Sequence, residues 1–301
     1  MYEEFKERLS SIISTGIIEN ELMNRHTTFK VGGPCSVFIS PKIEEIPSVL
    51  KLCKEYEMPY LILGRGSNIL VADKGYDGLV MEMGEENRQI TISGTTIMAG
   101  AGATLTAVAM AAYESGLAGF EFASGIPGSI GGGLFMNAGA YGGEMKDVVV
   151  SATTIDEEGN FVTINADDMN LSYRRSRFME DNLIITSVTI NLTEGNKDEI
   201  KALMDDYNGR RKEKQPLGFP SAGSFFKRPE GNFAGKLIED AGLKGLRVGG
   251  AEVSSKHCGF IINVDNATSD DIIKLMNKVQ DEVEAQFGIM LEPEVKFIGI
   301  F

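Results

Sequence analysis

The feature that most constrains this chain is an uncharged, glycine-rich segment near its middle. No charged residue occurs from Phe122 to Gly143, and eight of the nineteen residues 125–143 are glycines. Glycine has no side chain, so it lets the backbone approach a ligand closely and adopt positive φ angles. Successive backbone N–H groups then form a concavity that binds anions. We therefore predict a loop that holds a pyrophosphate without a lysine; the alternative is a buried scaffold of tight turns.

Two further glycine loops follow predicted strands. Gly64 and Gly66 come directly after the strand predicted at 60–63, and Gly100 and Gly102 follow the strand predicted at 96–99. Neither loop has the third glycine of a Rossmann fingerprint, and the chain has no GxxxxGK[ST] sequence. Several glycine loops at strand ends indicate one long dinucleotide that lies across several elements.

Three arginines in four residues form a second candidate site. They are Arg174, Arg175 and Arg177, which follow Tyr173. Arginines grouped in this way are costly to bury without an anion, and the guanidinium group binds a carboxylate in bidentate geometry. An exposed turn is the alternative.

A serine between a glycine and two phenylalanines forms a third candidate site. Ser224 lies in the segment 221–227, which ends at Lys227. The hydroxyl is a candidate acid or nucleophile, with Lys227 as the local cation. The segment is not a G-x-S-x-G motif, and the chain has only two histidines, so a Ser-His-Asp hydrolase is not expected. An ordinary turn serine is the alternative.

Two acids near the C-terminus form a fourth candidate site. Glu292 and Glu294 flank Pro293 in a segment that is predicted to be a strand, which would place them on the same side. An edge strand that faces solvent is the alternative.

The charge distribution narrows the possible partners. The net charge of −14 argues against nucleic acid, yet residues 210–256 contain ten basic and five acidic residues. This basic window indicates a site for a small anion, unless it is only a solvated face.

Local patterns predict an α+β protein. A helix is predicted at 104–115 with Thr104 as its cap, and a hairpin is predicted from strands at 148–155 and 161–164. A later helix is predicted to be capped by Ser269, and a last strand to surround Pro293. Three cysteines without paired spacing, an acidic N-terminus and no apolar span of about 20 residues indicate a cytoplasmic protein. No metal site is expected.

Taken together, these segments resemble the UDP-N-acetylenolpyruvoylglucosamine reductase family. The resemblance covers nearly the whole chain, from Asn24–Gly33 to Pro293–Val295, and is to the compact type without an extra insertion that covers the substrate. It implies an FAD-binding domain of the vanillyl-alcohol-oxidase (PCMH) type in two subdomains, 1–85 and 86–195, followed by an α+β substrate domain, 196–301.

The resemblance also implies a reaction and the residues that perform it. FAD, bound non-covalently, would take hydride from NADPH and pass it to C3 of UDP-N-acetylglucosamine enolpyruvate, in the synthesis of peptidoglycan precursors. Ser224 would protonate C2, while Arg174 and Glu294 would stabilise the enolate-like intermediate. The three residues are expected to meet over the reactive edge of the isoalloxazine ring. A monomer or weak oligomer is expected, with no nucleic acid or membrane partner.

Binding residues follow from the same resemblance. The predicted FAD contacts are Gly64, Arg65, Gly66, Ser67, Asn68, Ile69, Gly100, Gly102, Gly125, Gly128, Ser129, Gly131, Gly132, Asn137, Gly139 and Ala140. The predicted substrate contacts are Tyr173, Arg211, Lys227, Lys236 and His257. Many members of the family have an asparagine before the proline that follows the serine motif, whereas this chain has Arg228, so a contact made by that asparagine is not expected here.

Two other functions are compatible with parts of the pattern. One is another flavin oxidoreductase of the same fold, such as an alcohol or sugar-lactone oxidase, with FAD tethered through His26. The other is a non-catalytic nucleotide-binding or electron-relay module, which would not require Ser224, Arg174 and Glu294 to converge.

Overall fold

A computed structural model describes residues 2–301. The α-helices in this range are α1 (Tyr2–Ile12), α2 (Ile46–Glu55), α3 (Leu105–Glu114), α4 (Ile130–Phe135), α5 (Lys197–Lys214), α6 (Ala234–Asp240) and α7 (Ser269–Phe287). The strands are β1 (Ile17–Leu22), β2 (Pro34–Ile39), β3 (Tyr60–Leu63), β4 (Ile69–Val71), β5 (Tyr76–Glu82), β6 (Ile90–Ser93), β7 (Thr96–Gly100), β8 (Leu117–Ala118), β9 (Gly139–Ala140), β10 (Gly143–Glu144), β11 (Val149–Ile155), β12 (Phe161–Asn165), β13 (Ile184–Asn191), β14 (Thr193–Glu194), β15 (Arg247–Val248), β16 (Ala251–Val253), β17 (Ile261–Asn263) and β18 (Lys296–Ile298).

The chain divides into two compact units, each built from separate segments. Unit 1 comprises residues 1–19, 37–65 and 78–210, and unit 2 comprises residues 20–36, 66–77 and 211–301. The predicted division into 1–85, 86–195 and 196–301 follows the order of the chain, whereas both units include segments from distant parts of it. That three-part division remains a prediction.

Unit 1 contains a five-stranded antiparallel sheet that supports the glycine-rich segment. Its strand order is β12-β11-β13-β7-β6, and a separate four-stranded sheet has the order β1-β2-β5-β3. The predicted hairpin is confirmed, because β11 and β12 pair with Ile155 opposite Phe161. Helix α4, which lies within the glycine-rich segment, contacts β7 and β13. The sheet therefore fixes the backbone that precedes and follows this helix.

The predicted helix near residue 104 is also confirmed. The hydroxyl of Thr104 accepts a hydrogen bond from the Ala107 amide at 3.0 Å, which satisfies one of the unpaired donors in the first turn of α3. Gly116 follows the helix with a φ of 69°, a conformation that ends a helix and that glycine adopts without steric cost.

Unit 2 has its own apolar core, beneath the segment that contains Ser224. The core includes Phe29, Phe225 and Leu70, together with the buried face of α7. The rings of Phe29 and Phe225 pack edge to face with their centroids 6.4 Å apart. A three-stranded sheet of β15, β16 and β17 and the parallel pair β4 and β18 complete this unit.

Two predicted details of unit 2 were wrong. Helix α7 is capped by Thr268, whose hydroxyl accepts from the Asp271 amide, whereas Ser269 lies inside the helix and its hydroxyl accepts from the Asp73 amide at 2.9 Å. The last strand begins at Lys296 and does not surround Pro293. Proline has no N–H to donate to a ladder, and Pro293 forms only an isolated bridge with Phe226.

None of the helices within residues 2–301 is long and apolar enough to span a bilayer.

Replacing Gly209 with alanine is expected to stabilise unit 1. Gly209 lies within α5, is exposed, and has no neighbouring heavy atom within 4 Å of the position that a Cβ would occupy. The substitution should raise the free energy of unfolding by about 0.5–1 kcal/mol, because glycine in a helix loses more backbone entropy on folding than alanine does. Urea unfolding followed by circular dichroism measures the change. The reverse substitution at exposed Ala202 of the same helix should lower stability by a similar amount, and a destabilised Gly209→Ala variant would contradict the expectation.

Candidate active site

A short backbone ladder in unit 2 brings Ser224 and Glu294 together. The amide of Glu294 donates to the carbonyl of Phe225 at 2.8 Å, and the amide of Lys227 donates to the carbonyl of Glu292 at 2.8 Å. Phe225 directly follows Ser224, so residues 70 positions apart in sequence lie on adjoining backbone segments. The side chain of Phe225 is fully buried while Ser224 is exposed. The buried ring therefore anchors a segment whose hydroxyl is accessible from outside.

The end of the first glycine loop lies against the same ladder. The side-chain amide of Asn68 donates to the Glu294 carbonyl at 3.3 Å, and the Asn68 carbonyl accepts from the Lys296 amide at 3.0 Å. Thr28 connects the loop to the serine segment, because its amide donates to the Gly66 carbonyl at 3.1 Å and its hydroxyl donates to the Ser221 carbonyl at 2.6 Å. Three chain segments that carry predicted site residues thus meet within unit 2.

Gly66 can be only glycine at this meeting point. Its φ is +59°, and a Cβ built on it would lie 2.0 Å from the carbonyl oxygen of His26. The close approach of the Gly66 backbone to the His26 carbonyl is therefore sufficient to explain why this position is glycine.

Lys227 does not present an uncompensated charge to Ser224. Its Nζ lies 2.9 Å from a carboxylate oxygen of Glu292, the residue whose carbonyl also accepts the Lys227 amide. The Glu292 carboxylate therefore lies beside the cation that is predicted to assist Ser224, and this role of Lys227 stays a prediction.

In unit 1 all three arginines of the cluster have neighbours, and the guanidinium carbon of Arg174 lies 5.1 Å from the centroid of the Tyr173 ring. Arg175 forms an ion pair with Glu180 at 2.6 Å, and Arg177 forms one with Asp181. Arg174 lies at the tip of a tight turn, in which the amides of Ser172 and Arg175 each donate to the carbonyl of the other. Its φ is +55°, a strained conformation for a residue with a Cβ, and such strain concentrates at functional positions.

The carboxylate of Glu144, which directly follows the glycine-rich segment, interacts electrostatically with Arg174. The hydrogen bond from Lys146 lowers the pKa of Glu144 below its usual value, and the hydrogen bond from Asn137 and the positive charge of Arg174 act in the same direction. Glu144 therefore stays ionised at neutral pH and interacts electrostatically with Arg174.

Two glycine-containing loops lie against each other in unit 1, one after β3 and the other at the start of α4. A Cβ built on Gly64 would lie 2.4 Å from the hydroxyl oxygen of Ser129, so the backbone after β3 lies directly against the start of α4. The loops offer backbone amides and the hydroxyls of Ser67 and Ser129 as donors, together with the guanidinium group of Arg65. Such donors suit a pyrophosphate.

Several predicted FAD contacts already use their amides within the protein. The amides of Gly100, Gly102 and Gly131 donate to the carbonyls of Gln89, Asn87 and Ala101, and that of Gly132 donates to the Ser129 hydroxyl. A Cβ on Gly102 would lie 2.3 Å from the Met83 carbonyl oxygen. Close packing therefore accounts for Gly100, Gly102 and Gly131, and the contacts of all four glycines with FAD remain predictions.

The predicted substrate contacts lie in varied surroundings. Tyr173 is half exposed, Arg211 lies in the last turn of α5, and Lys236 forms an ion pair with Asp240. Burial lowers the pKa of His257, whose Nδ1 accepts from the Gly259 amide at 3.1 Å, so the neutral ring presents Nε2–H as a donor.

The basic window is less positive locally than its sequence suggests. Within it, five basic side chains pair with carboxylates, namely Arg210 with Asp206, Lys227 with Glu292, Lys236 with Asp240, Lys244 with Glu239, and Arg247 with Glu252.

Sequence reasoning missed Thr28 and Glu144. Nothing in the spacing links Thr28 to Ser221, 193 residues away. Glu144 did have a signal, because it is the first charge after the uncharged stretch that ends at Gly143. A carboxylate at the edge of such a stretch is a candidate partner for a cation.

Comparison with known proteins identifies both parts of the chain. Residues 35–165 match an FAD binding domain, and residues 215–298 match the C-terminal domain of UDP-N-acetylenolpyruvoylglucosamine reductase.

Relatives match along the full length of the chain. A UDP-N-acetylenolpyruvoylglucosamine reductase of Agathobacter rectalis is 48% identical over 298 residues, covering 95% of each chain. One of Clostridioides difficile is 50% identical over 281 residues, covering 93% of this chain and 92% of the other. The crystal structure of the reductase from Thermus caldophilus superposes with a TM-score of 0.81 at 34% identity, covering 94% of this chain and 98% of that one.

Proposed function

The chain belongs to the UDP-N-acetylenolpyruvoylglucosamine reductase family, and we propose that Ser224, Arg174 and Glu294 carry out the family's reaction in it. The resemblance predicted from the sequence is confirmed, as is the α+β fold with an FAD-binding domain of the vanillyl-alcohol-oxidase type. Membership argues against the two alternative functions. His26 in addition already pairs with Glu21 at 2.9 Å, which argues against its tethering a flavin.

The protein reduces UDP-N-acetylglucosamine enolpyruvate to UDP-N-acetylmuramate with NADPH, a step in the synthesis of peptidoglycan precursors. Bound FAD supplies the hydride transfer that amino-acid side chains cannot perform. The residues proposed to hold it are the backbone and hydroxyl groups of the loops at 64–69 and 125–140. The contact between Gly64 and Ser129 supports this proposal, because it brings two of these segments together in unit 1.

The ladder between the Ser224 segment and the Glu294 segment is the observation that carries the proposed roles. It brings an exposed serine and a partly buried glutamate together on two adjoining backbone segments, next to the end of the loop at 66–68. Ser224 would deliver a proton to C2 of the enolpyruvyl group. General acids positioned in this way typically contribute about 10²- to 10⁴-fold to a rate.

Arg174 and Glu294 would stabilise the charge that develops before the proton arrives. Arg174 is permanently charged, and it lies at the tip of the Ser172–Arg175 turn with a φ of +55°. A donor aimed at a developing oxyanion typically lowers a barrier by about 3–4 kcal/mol. Glu294 would share its proton with the carboxylate of the intermediate. The backbone hydrogen bond from the Glu294 amide to the Phe225 carbonyl supports this role, because Phe225 adjoins Ser224.

The setting of the enzyme is also part of the proposal. We place it in the cytoplasm, as a monomer or weak oligomer without a nucleic acid or membrane partner. The three cysteines support a reducing compartment, since all are buried and none is in a disulfide.

The experiment that tests the function uses the purified protein. A yellow protein whose consumption of NADPH depends on the enolpyruvyl nucleotide is the expected result. The stoichiometry should be one NADPH for each UDP-N-acetylmuramate formed, measured by absorbance at 340 nm and by mass spectrometry. A flavin-free protein, or NADPH consumption that is indifferent to the nucleotide, would contradict the proposal.

A further inference from the structure

Asn137 is a buried residue whose side-chain amide forms hydrogen bonds with three groups of the protein. Its Nδ2 donates to a carboxylate oxygen of Glu144 at 2.8 Å and to the Ser172 carbonyl at 3.0 Å, and its Oδ1 accepts from the Lys146 amide at 3.0 Å. The residue is 1% exposed. Both amide hydrogens are therefore committed to the protein, which argues against a cofactor contact through this nitrogen.

The backbone of Asn137 is held in a conformation that few residues tolerate. Its φ is +43°, in the left-handed region that asparagine and glycine adopt most readily. Such conformations persist where the surrounding contacts fix them. Here those contacts are the three hydrogen bonds of its own side chain.

The carbonyl that Asn137 binds begins the turn whose tip is Arg174. Ser172 and Arg175 close this turn, and Arg174 lies between them with a φ of +55°. The far side of the turn is attached as well, because the buried Ser176 hydroxyl donates to the Phe135 carbonyl at 2.6 Å. Both sides of the arginine turn are thus tied to α4 and the residues that follow it.

The side-chain amide of Asn137 also orients the Glu144 carboxylate, which interacts electrostatically with Arg174. Glu144 follows the two-residue turn between β9 and β10, and Asn137 and Lys146 each bond its carboxylate. The buried Asn137 side chain therefore holds the backbone turn that carries Arg174, and it also orients the negatively charged Glu144 carboxylate that interacts with Arg174.

We propose that Asn137 is a positioning residue for Arg174, which it holds by fixing the Ser172–Arg175 turn and the Glu144 carboxylate in one arrangement. The inference rests on the proposed catalytic role of Arg174. It assigns Asn137 no contact with substrate, and it predicts that the side chain matters only while Arg174 is present.

A double-mutant cycle tests this prediction on the FAD-loaded enzyme. The variants are Asn137→Gly, Arg174→Ala and the double variant. Glycine suits a φ of +43°, so it removes the side chain without adding strain. The rate constant for oxidation of reduced flavin by the enolpyruvyl nucleotide is measured by stopped flow. Asn137→Gly is expected to lower it by about 10- to 100-fold, as a misplaced catalytic group does. The same change should have little further effect in the Arg174→Ala background.

Three measurements keep the outcome unambiguous. Asn182→Gly is the matched control, because Asn182 also has a positive φ and a side-chain hydrogen bond, to exposed Glu157, and it should leave the rate unchanged. The flavin absorption spectrum and flavin content report any direct effect on the cofactor. If Asn137→Gly does not fold, Asn137→Ser removes the amide without adding a charge beside Glu144, and it should show the same dependence on Arg174.

Additive effects of the two substitutions, or a rate unchanged in both Asn137 variants, would overturn the inference and leave the role of Arg174 intact. An unchanged rate in Arg174→Ala would overturn the proposed role of Arg174 and this inference with it.

Discussion

Replacing Ser224 with alanine is expected to slow the oxidation of reduced flavin by the enolpyruvyl nucleotide by about 10²- to 10⁴-fold, the range typical for loss of a general acid. Reduction of the flavin by NADPH should survive, because hydride uptake needs no proton from Ser224. Stopped-flow absorbance at 450 nm separates the two half-reactions. The variant should accumulate as the reduced enzyme when both substrates are present.

The structure supplies a control for this experiment. Ser255 is another exposed serine of unit 2, and Ser255→Ala should leave both half-reactions unchanged. The fold should tolerate Ser224→Ala, since the adjoining segment is anchored by the buried Phe225 and by backbone hydrogen bonds that alanine preserves. Unchanged turnover in Ser224→Ala would reject Ser224 as the proton donor.

Replacing Gly64 with valine is expected to produce a folded protein that is depleted of flavin. The new Cβ would lie 2.4 Å from the hydroxyl oxygen of Ser129, which also caps α4 by accepting from the Gly132 amide at 3.3 Å. The two loops must then move apart or strain. Overpacking of this kind costs about 1–3 kcal/mol, which corresponds to a loss of about 5- to 150-fold in flavin affinity if the strain falls on the loops.

Flavin released by heat and measured by fluorescence gives the content of each preparation. Gly218→Val is the matched control, because no heavy atom lies within 4 Å of the position of its Cβ and its φ is not positive. A Gly64→Val protein with full flavin content would show that these loops do not contact the cofactor. If Gly64→Val instead loses its circular dichroism signal, Gly64 is required for folding and the loss of flavin follows from unfolding.

Local features of this fold could be predicted from the sequence because neighbouring residues determine them. The cap at Thr104 and the hairpin of β11 and β12 depend on residues a few positions apart, and both are confirmed. The cap of α7 was misassigned because Thr268 and Ser269 are both good caps, and the choice between them involves Asp73, 196 residues away.

The residues proposed for the active site could be named from the sequence, but the geometry of the segments that carry them could not. Resemblance singled out Ser224 and Glu294, and nothing in local periodicity indicates that the Glu294 amide binds the Phe225 carbonyl. Likewise the sequence presents three arginines as equals. The positive φ of Arg174, which depends on the turn closed by Ser172 and Arg175, separates it from the other two.

The segmented construction of unit 2 has a consequence for the order in which the protein matures on the ribosome. Asn68 binds the Glu294 carbonyl across 226 residues, and Thr28 binds the Ser221 carbonyl across 193. Chains emerge at about 5–20 residues per second, so Asn68 waits on the order of ten seconds or more for its partner to be translated. Unit 1 is complete in sequence at residue 210, well before that. The segments of Ser224 and Glu294 therefore come together only after residue 294 has been translated, and a nascent chain shorter than this cannot form the ladder.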